Sequence, residues 1–104
     1  MSSDVVSNIK TVVHSFFPDA RVLLFGSRAK GTDRKDSDYD LLVITKSTYP
    51  AEEKISLRSK IDKALVKSLH APVDVILNSE EEIESKKILP GHIVQWALKE
   101  GVWL

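Results

Sequence analysis

Three short apolar runs, Val22 to Phe25, Leu41 to Ile44 and Pro72 to Leu77, stand among longer stretches whose apolar residues recur every three or four positions. The short runs are strand-length and bounded by glycine, proline or polar residues, so they predict buried strands. Ahead of them Val5, Val6, Ile9, Val12, Val13 and Phe16 fall at helical spacing, with Ser3 or Asp4 as N-cap and Pro18 just past the end. Between the second and third runs, Pro50 in a first helical turn and Glu52 and Glu53 near its positive end open a helix carried by Ile55, Leu57, Arg58, Ile61, Ala64, Leu65 and Leu69. A helix of about five turns there is the natural crossover between two strands.

Ser79 and Glu82 have capping-box spacing, which predicts a short acidic helix over residues 80–87, broken by Pro90 and Gly91. Ile93, Val94, Ala97 and Leu98 predict a last helix stopped by Gly101 as a C′ residue, with a terminal strand at Val102-Trp103-Leu104. The order helix, strand, turn, strand, helix, strand, helix, helix describes an α/β (α+β) domain: a small mixed β-sheet flanked by helices. Spacing alone leaves strand order and direction open.

Composition narrows the function more than the fold. The 104 residues are expected to form one domain, 1–104, with room for a single core. Fifteen basic residues balance fifteen acidic ones, so no stable long nucleic-acid partner is expected. The absence of cysteine excludes disulfides, thiolate nucleophiles and cysteine zinc sites. MSSDVVSNIK lacks a basic segment followed by an apolar one, and no apolar run approaches the roughly 20 residues of a membrane span, so a cytoplasmic protein with no membrane partner is expected. His14, His70 and His92 share no ligand spacing and read as surface or helix-end residues. Trp96 and Trp103 read as core or edge packing, and the C-terminal region is the candidate for partner contact.

The candidate chemistry lies in VLLFGSRAKGTDRKDSDYDLLVIT, residues 22–45. Gly26 and Ser27 leave the first strand on a tight turn that opens a helical turn, and outward N–H groups there favour a phosphate. Arg28 follows directly and is placed to hold a phosphate oxygen in a charge-assisted pair. Lys30 is undecided, and Arg34 and Lys35 read as a solvated loop that Asp36 and Ser37 continue. Two glycines, Gly26 and Gly31, stand at P-loop separation, but Thr32 occupies the position where a P-loop needs lysine. Asp38 and Asp40 enter the second strand two residues apart, which puts both carboxylates on one face and Tyr39 on the other. Such a pair shares a proton or holds a cation, and an oxygen-only site suits Mg2+. Asp74, costly inside an apolar strand, is explained if it completes a three-carboxylate cage with Asp38 and Asp40 for one or two metal ions.

Gly26-Ser27, then Asp38-Tyr39-Asp40, then an isolated Asp74 in a later strand resembles the signature of the DNA polymerase beta-like nucleotidyltransferase superfamily. The wording GSRAKGTDRKDSDYDLLV and the length resemble more narrowly its minimal nucleotidyltransferase (MNT) family, one-domain antitoxin partners of helical HEPN-domain toxins. The resemblance implies a nucleotidyltransferase fold, Gly26 and Ser27 on the triphosphate, and Asp38, Asp40 and Asp74 as catalytic metal ligands. The expected reaction moves a nucleoside monophosphate, AMP from ATP, with two Mg2+ ions, onto a hydroxyl of a HEPN-type partner protein. Two alternatives stay open: a non-catalytic module that masks its partner, and an enzyme acting on a small hydroxylated molecule.

Overall fold

The structure, a computed structural model, describes residues 2–32, 34 and 37–104; Lys35 and Asp36 of the expected polar loop lie outside them. Helix α1 (Ser3–Phe16) leads into β1 (Arg21–Phe25), the short α2 (Ser27–Lys30), β2 (Tyr39–Thr45) and α3 (Ala51–Leu69). Then follow β3 (Val73–Ser79), α4 (Glu80–Lys86), α5 (Ile93–Glu100) and β4 (Val102–Trp103). The strands form one mixed sheet in the order β3-β2-β1-β4. β1 runs antiparallel to β2 and β4, whereas β2 and β3 are parallel and joined over the sheet by α3.

Strand alternation divides the core between the two sheet faces. Val22, Leu24, Tyr39, Leu41, Val43, Val75 and Leu77 pack with Ile9 and Val13 of α1 and Ile61 and Leu65 of α3. Leu23, Phe25, Leu42 and Ile44 pack on the other face with Ile83 of α4 and Val94 and Ala97 of α5. Because β2 is covered on both faces, Leu41 to Ile44 can be apolar without a break, and burying each such side chain stabilises the fold by roughly 1.5–3 kcal/mol.

Several local expectations shift by a residue or a face. The N-cap of α1 is Ser2, whose side chain accepts from the Val5 N–H at 3.3 Å, rather than Ser3 or Asp4, which lie inside the first turn. Pro50 is the N-cap of α3 and not a first-turn residue. Ile55 does not join the core stripe of α3: it is 70% exposed, because the buried face follows the four-residue step Leu57, Ile61, Leu65. The capping box forms as expected, with Ser79 accepting from the Glu82 N–H and Glu82 accepting from the Ser79 N–H, and α4 ends at Lys86. Gly101 closes α5 in extended backbone, φ −81°, so it is not a left-handed cap; a Cβ there would lie 2.5 Å from the Ala97 carbonyl and 2.8 Å from Leu23. Its missing side chain is what lets β4 turn back against β1. No helix among the described residues is long and apolar enough to cross a membrane.

Candidate active site

The end of β1 and the starts of β2 and β3 meet at one end of the sheet. Phe25 is in register with Asp40 across the antiparallel pair, and Asp40 with Asp74 across the parallel pair. Paired residues project to the same face, so the Asp40 and Asp74 carboxylates stand side by side on the α4–α5 face. Asp38 immediately precedes β2 and is exposed, as is Asp74, while Asp40 is half-buried. Burial first, then the charges of Asp74 and Asp38, raise the Asp40 carboxyl above its ordinary range. Asp40 therefore feels the charges of both other carboxylates.

Gly26 is bound to this cluster by sterics. It adopts φ +76°, ψ −157°, a region that side chains avoid. A Cβ at that point would overlap Oδ2 of Asp40 and stand 3.1 Å from its Cγ. Glycine thus lets the turn backbone lie directly against the carboxylate. Ser27 begins α2, and its carbonyl accepts from the Thr32 N–H at 3.1 Å, while Gly31 ends the turn at φ +73°. The signature turn and Asp40 are one packed unit.

Arg28 lies where sequence reasoning alone does not take it. Its Nε and Nη2 donate to the Ser37 carbonyl at 3.0 and 2.9 Å, and its Cζ lies 3.9 Å from the centroid of the Tyr39 ring. In this arrangement the guanidinium anchors the residues on both sides of Asp38. A direct phosphate contact would require it to turn from Tyr39. Lys30, left undecided by the sequence, holds its ammonium 5.2 Å from the centroid of Trp96, which packs edge-on against Phe25 at 5.7 Å. The sequence only sets Tyr39 on the strand face opposite the carboxylates and reads Trp96 as core or edge packing; no spacing signal links Trp96 to a turn some seventy residues earlier.

His92 caps α5 by accepting from the Val94 N–H at Nδ1, and His14 lies within hydrogen-bond distance of the Ala20 carbonyl at 3.1 Å, so both have local structural roles. The C-terminal region exposes Ile88, Leu89, Ile93 and Trp96.

An oxygen-only set from three aspartates fits a hard divalent cation in its chemistry, and the raised Asp40 carboxyl marks a cluster that a cation would relieve. The expected closed cage is not assembled by the side chains as they stand: among the described residues no three acidic, histidine or cysteine groups form a metal-holding cluster. The physical reason is that Asp38 precedes the ladder and, like Asp74, projects into solvent, so packing does not fix either carboxylate.

Comparison with known proteins identifies the family and the fold. A family model described as nucleotidyltransferase domain matches residues 6–104. The chain is similar to the probable protein adenylyltransferase MntA of Haemophilus influenzae, 40% identical over 45 residues; the match spans 43% of this chain and only 40% of that relative's length. A crystal structure of a toxin-antitoxin with AMP-PNP shares the fold with a TM-score of 0.64 at 21% identity, covering 98% of this chain and 72% of that one. A tri-AMPylated Shewanella oneidensis HEPN toxin in complex with MNT antitoxin gives a TM-score of 0.58 at 16% identity, covering 96% of this chain and 67% of that one. With the family model covering nearly every residue and the Gly26-Ser27 turn lying against Asp40, the chain belongs to the nucleotidyltransferase domain family.

Proposed function

We propose that this chain transfers AMP from ATP to a hydroxyl of a partner protein, acting as the antitoxin of a HEPN-type toxin. The observation that carries the reading is the register Phe25–Asp40–Asp74, which delivers the phosphate-turn backbone and two carboxylates to one end of the sheet, with Asp38 beside them. The likeness to an MntA adenylyltransferase, and to solved complexes that contain AMP-PNP or an AMPylated toxin, supports the nucleotide and the acceptor class.

Gly26 and Ser27 orient the β- and γ-phosphates against the turn, and Arg28 holds the loop that presents Asp38. Asp38 and Asp40 would hold Mg2+ on the triphosphate, and with Asp74 a second ion. These ions supply charge neutralisation of the attacking and leaving oxygens. The acceptor hydroxyl oxygen forms a bond to the α-phosphorus while the bond to the β-phosphate oxygen breaks, so pyrophosphate leaves. Asp74, exposed at the site rim, accepts the acceptor proton. Most of the acceleration then comes from placing the two reactants and stabilising the leaving charge.

The test is intact-mass analysis of a HEPN-type partner incubated with this chain, ATP and Mg2+, with Asp38→Asn/Asp40→Asn as control. Mass gained in AMP steps with the wild-type chain alone supports the reading. A stable complex that neutralises the toxin with no mass gain, and equally well in the variant, would establish masking instead. Labelling of small hydroxylated compounds but not proteins would replace the acceptor.

A further inference from the structure

Among the described residues, Trp96 is the aromatic side chain that combines an exposed ring with a place beside the phosphate turn. It projects from α5, is 40% exposed, and packs at 87° to the Phe25 ring with the centroids 5.7 Å apart. Phe25 is in register with Asp40, so the indole stands one side chain away from the carboxylates, on the same face of the sheet. Lys30, the last residue of α2, reaches the same indole, with its ammonium 5.2 Å from the centroid. Both contacts tie the ring to the elements that build the candidate active site.

The other aromatic rings are committed elsewhere. Phe16, Phe17 and Tyr49 pack with one another over the α1–α3 face, and Tyr39 is buried on that face with the Arg28 guanidinium over its ring. Trp103 is also exposed, but it pairs with Leu23, two residues back along β1 from Phe25, and carries Arg21 at 4.8 Å. An exposed indole is a platform for a flat π-system, and a nucleobase covers more of it than a point charge does, so stacking outcompetes a solvated cation–π contact. Lys30 is itself exposed on the phosphate turn, so a base that displaces its ammonium leaves that cation near the triphosphate.

We propose that Trp96 is the base platform of the nucleotide site: with the triphosphate on the Gly26-Ser27 turn, the purine of ATP stacks on the exposed part of the indole, whose tilt Phe25 fixes. This rests on the nucleotidyl-transfer reading above and adds the group that holds the base. The stack reads ring area and not hydrogen-bonding edges, so it favours purines over pyrimidines and does not separate adenine from guanine. It is made equally in the ground state and the transition state, so it lowers KM and leaves kcat unchanged.

The experiment titrates the whole chain, with Mg2+ and without acceptor, by calorimetry against ATP, GTP, CTP and tripolyphosphate, for wild type, Trp96→Ala and Trp96→Phe. Trp96→Ala is expected to weaken ATP and GTP about tenfold, or about 1.4 kcal/mol, with tripolyphosphate unchanged, and Trp96→Phe to restore most of the loss. Wild type should bind CTP more weakly than either purine nucleotide. In a Trp103→Phe background, which leaves Trp96 as the sole indole, ATP should quench the fluorescence more strongly than tripolyphosphate, a readout that needs no change at residue 96. Equal weakening of ATP and tripolyphosphate by Trp96→Ala would overturn the proposal and make the indole a support for Lys30. Unchanged ATP affinity with weaker binding of the acceptor protein would also overturn it, assigning Trp96 with Ile88, Leu89 and Ile93 to a protein interface. Base-dependent binding through Trp96 with no AMP transferred to any acceptor would refute the transfer reading and leave the base platform standing. Transfer by Trp96→Ala with an unchanged KM for ATP would do the reverse.

Discussion

Replacing Gly26 by alanine tests whether the phosphate turn and the carboxylate cluster are one unit. Two costs follow from the structure. The backbone at φ +76°, ψ −157° is essentially reserved for glycine, and forcing alanine into it costs about 1–3 kcal/mol. The new Cβ would also overlap Oδ2 of Asp40, so the carboxylate must leave its rotamer at about 0.5–1.5 kcal/mol more. The sum, roughly 1.5–4.5 kcal/mol, lowers Tm by at least about 6 °C for a domain of this size. Displacing the carboxylate by about 1 Å should cost on the order of a hundredfold in kcat. The two costs separate in a double-mutant cycle with Asp40→Ala, which leaves only the Asp40 Cβ, 3.4 Å from the added methyl. In that background Gly26→Ala should lose the backbone cost alone, giving a coupling of about 0.5–1.5 kcal/mol by chemical denaturation. Additivity within about 0.3 kcal/mol would show that turn and carboxylate do not collide, and the packed-unit account would fail.

Other perturbations probe the same frame from different sides. Burial and the charges of Asp74 and Asp38 raise the Asp40 pKa on folding, so its ionisation removes stability as pH rises out of the ordinary carboxylate range; Asp40→Asn should match wild type in acid and exceed it at pH 7, and a lower Tm at pH 7 in calorimetry would contradict this. Burial alone pushes Glu82 up, but the Lys54 hydrogen bond, the Ser79 N–H and the charges of Lys54 and Lys86 outweigh it and hold its carboxyl below 4.5. Its contribution is therefore present above that pH and lost on acidification, so Glu82→Gln should cost about 1 kcal/mol at pH 7 and progressively less as pH falls, read by urea denaturation at several pH values. Gly101→Ala, at an ordinary φ of −81°, should destabilise by about 1–3 kcal/mol through collision with Ala97 and Leu23 alone; an unchanged urea midpoint would mean that α5 relaxes freely. Arg28→Lys loses the planar stack on Tyr39 and the paired donors to Ser37, so amide exchange around Asp38 should quicken by about tenfold with β1 unaffected; equal protection would remove Arg28 as the loop anchor.

How far the sequence reached depended on the range of the interaction that decides each feature. The α4 capping box was legible because Ser79 and Glu82 are three residues apart, and the glycine turn because Gly26 interrupts an apolar run at once. The face of α3 is misjudged at Ile55 because an apolar residue followed by Ser59 at the four-residue step still resembles a core position until the sheet beneath is known. Gly101 was identified as a stop, but for the wrong reason: the constraint is Leu23 of β1, nearly eighty residues away in sequence. Arg28 was expected at a phosphate from its place after the turn, whereas its donors reach Ser37 and its plane covers Tyr39, contacts that exist only once β2 is paired.

Periodicity and local chemistry by themselves determined the helices, the strand cores, the α4 capping box, and the residue types at the candidate site, because those depend on groups within a few positions of one another. The tertiary structure decided what no local pattern contains: the order β3-β2-β1-β4, the register that sets Asp74 beside Asp40, the abutment of Gly26 on that carboxylate, and the open edge of β3. Strand order and register are set by which apolar faces bury one another across the whole chain, and a sequence read in windows holds no record of that choice until the sheet closes over its two layers of helices.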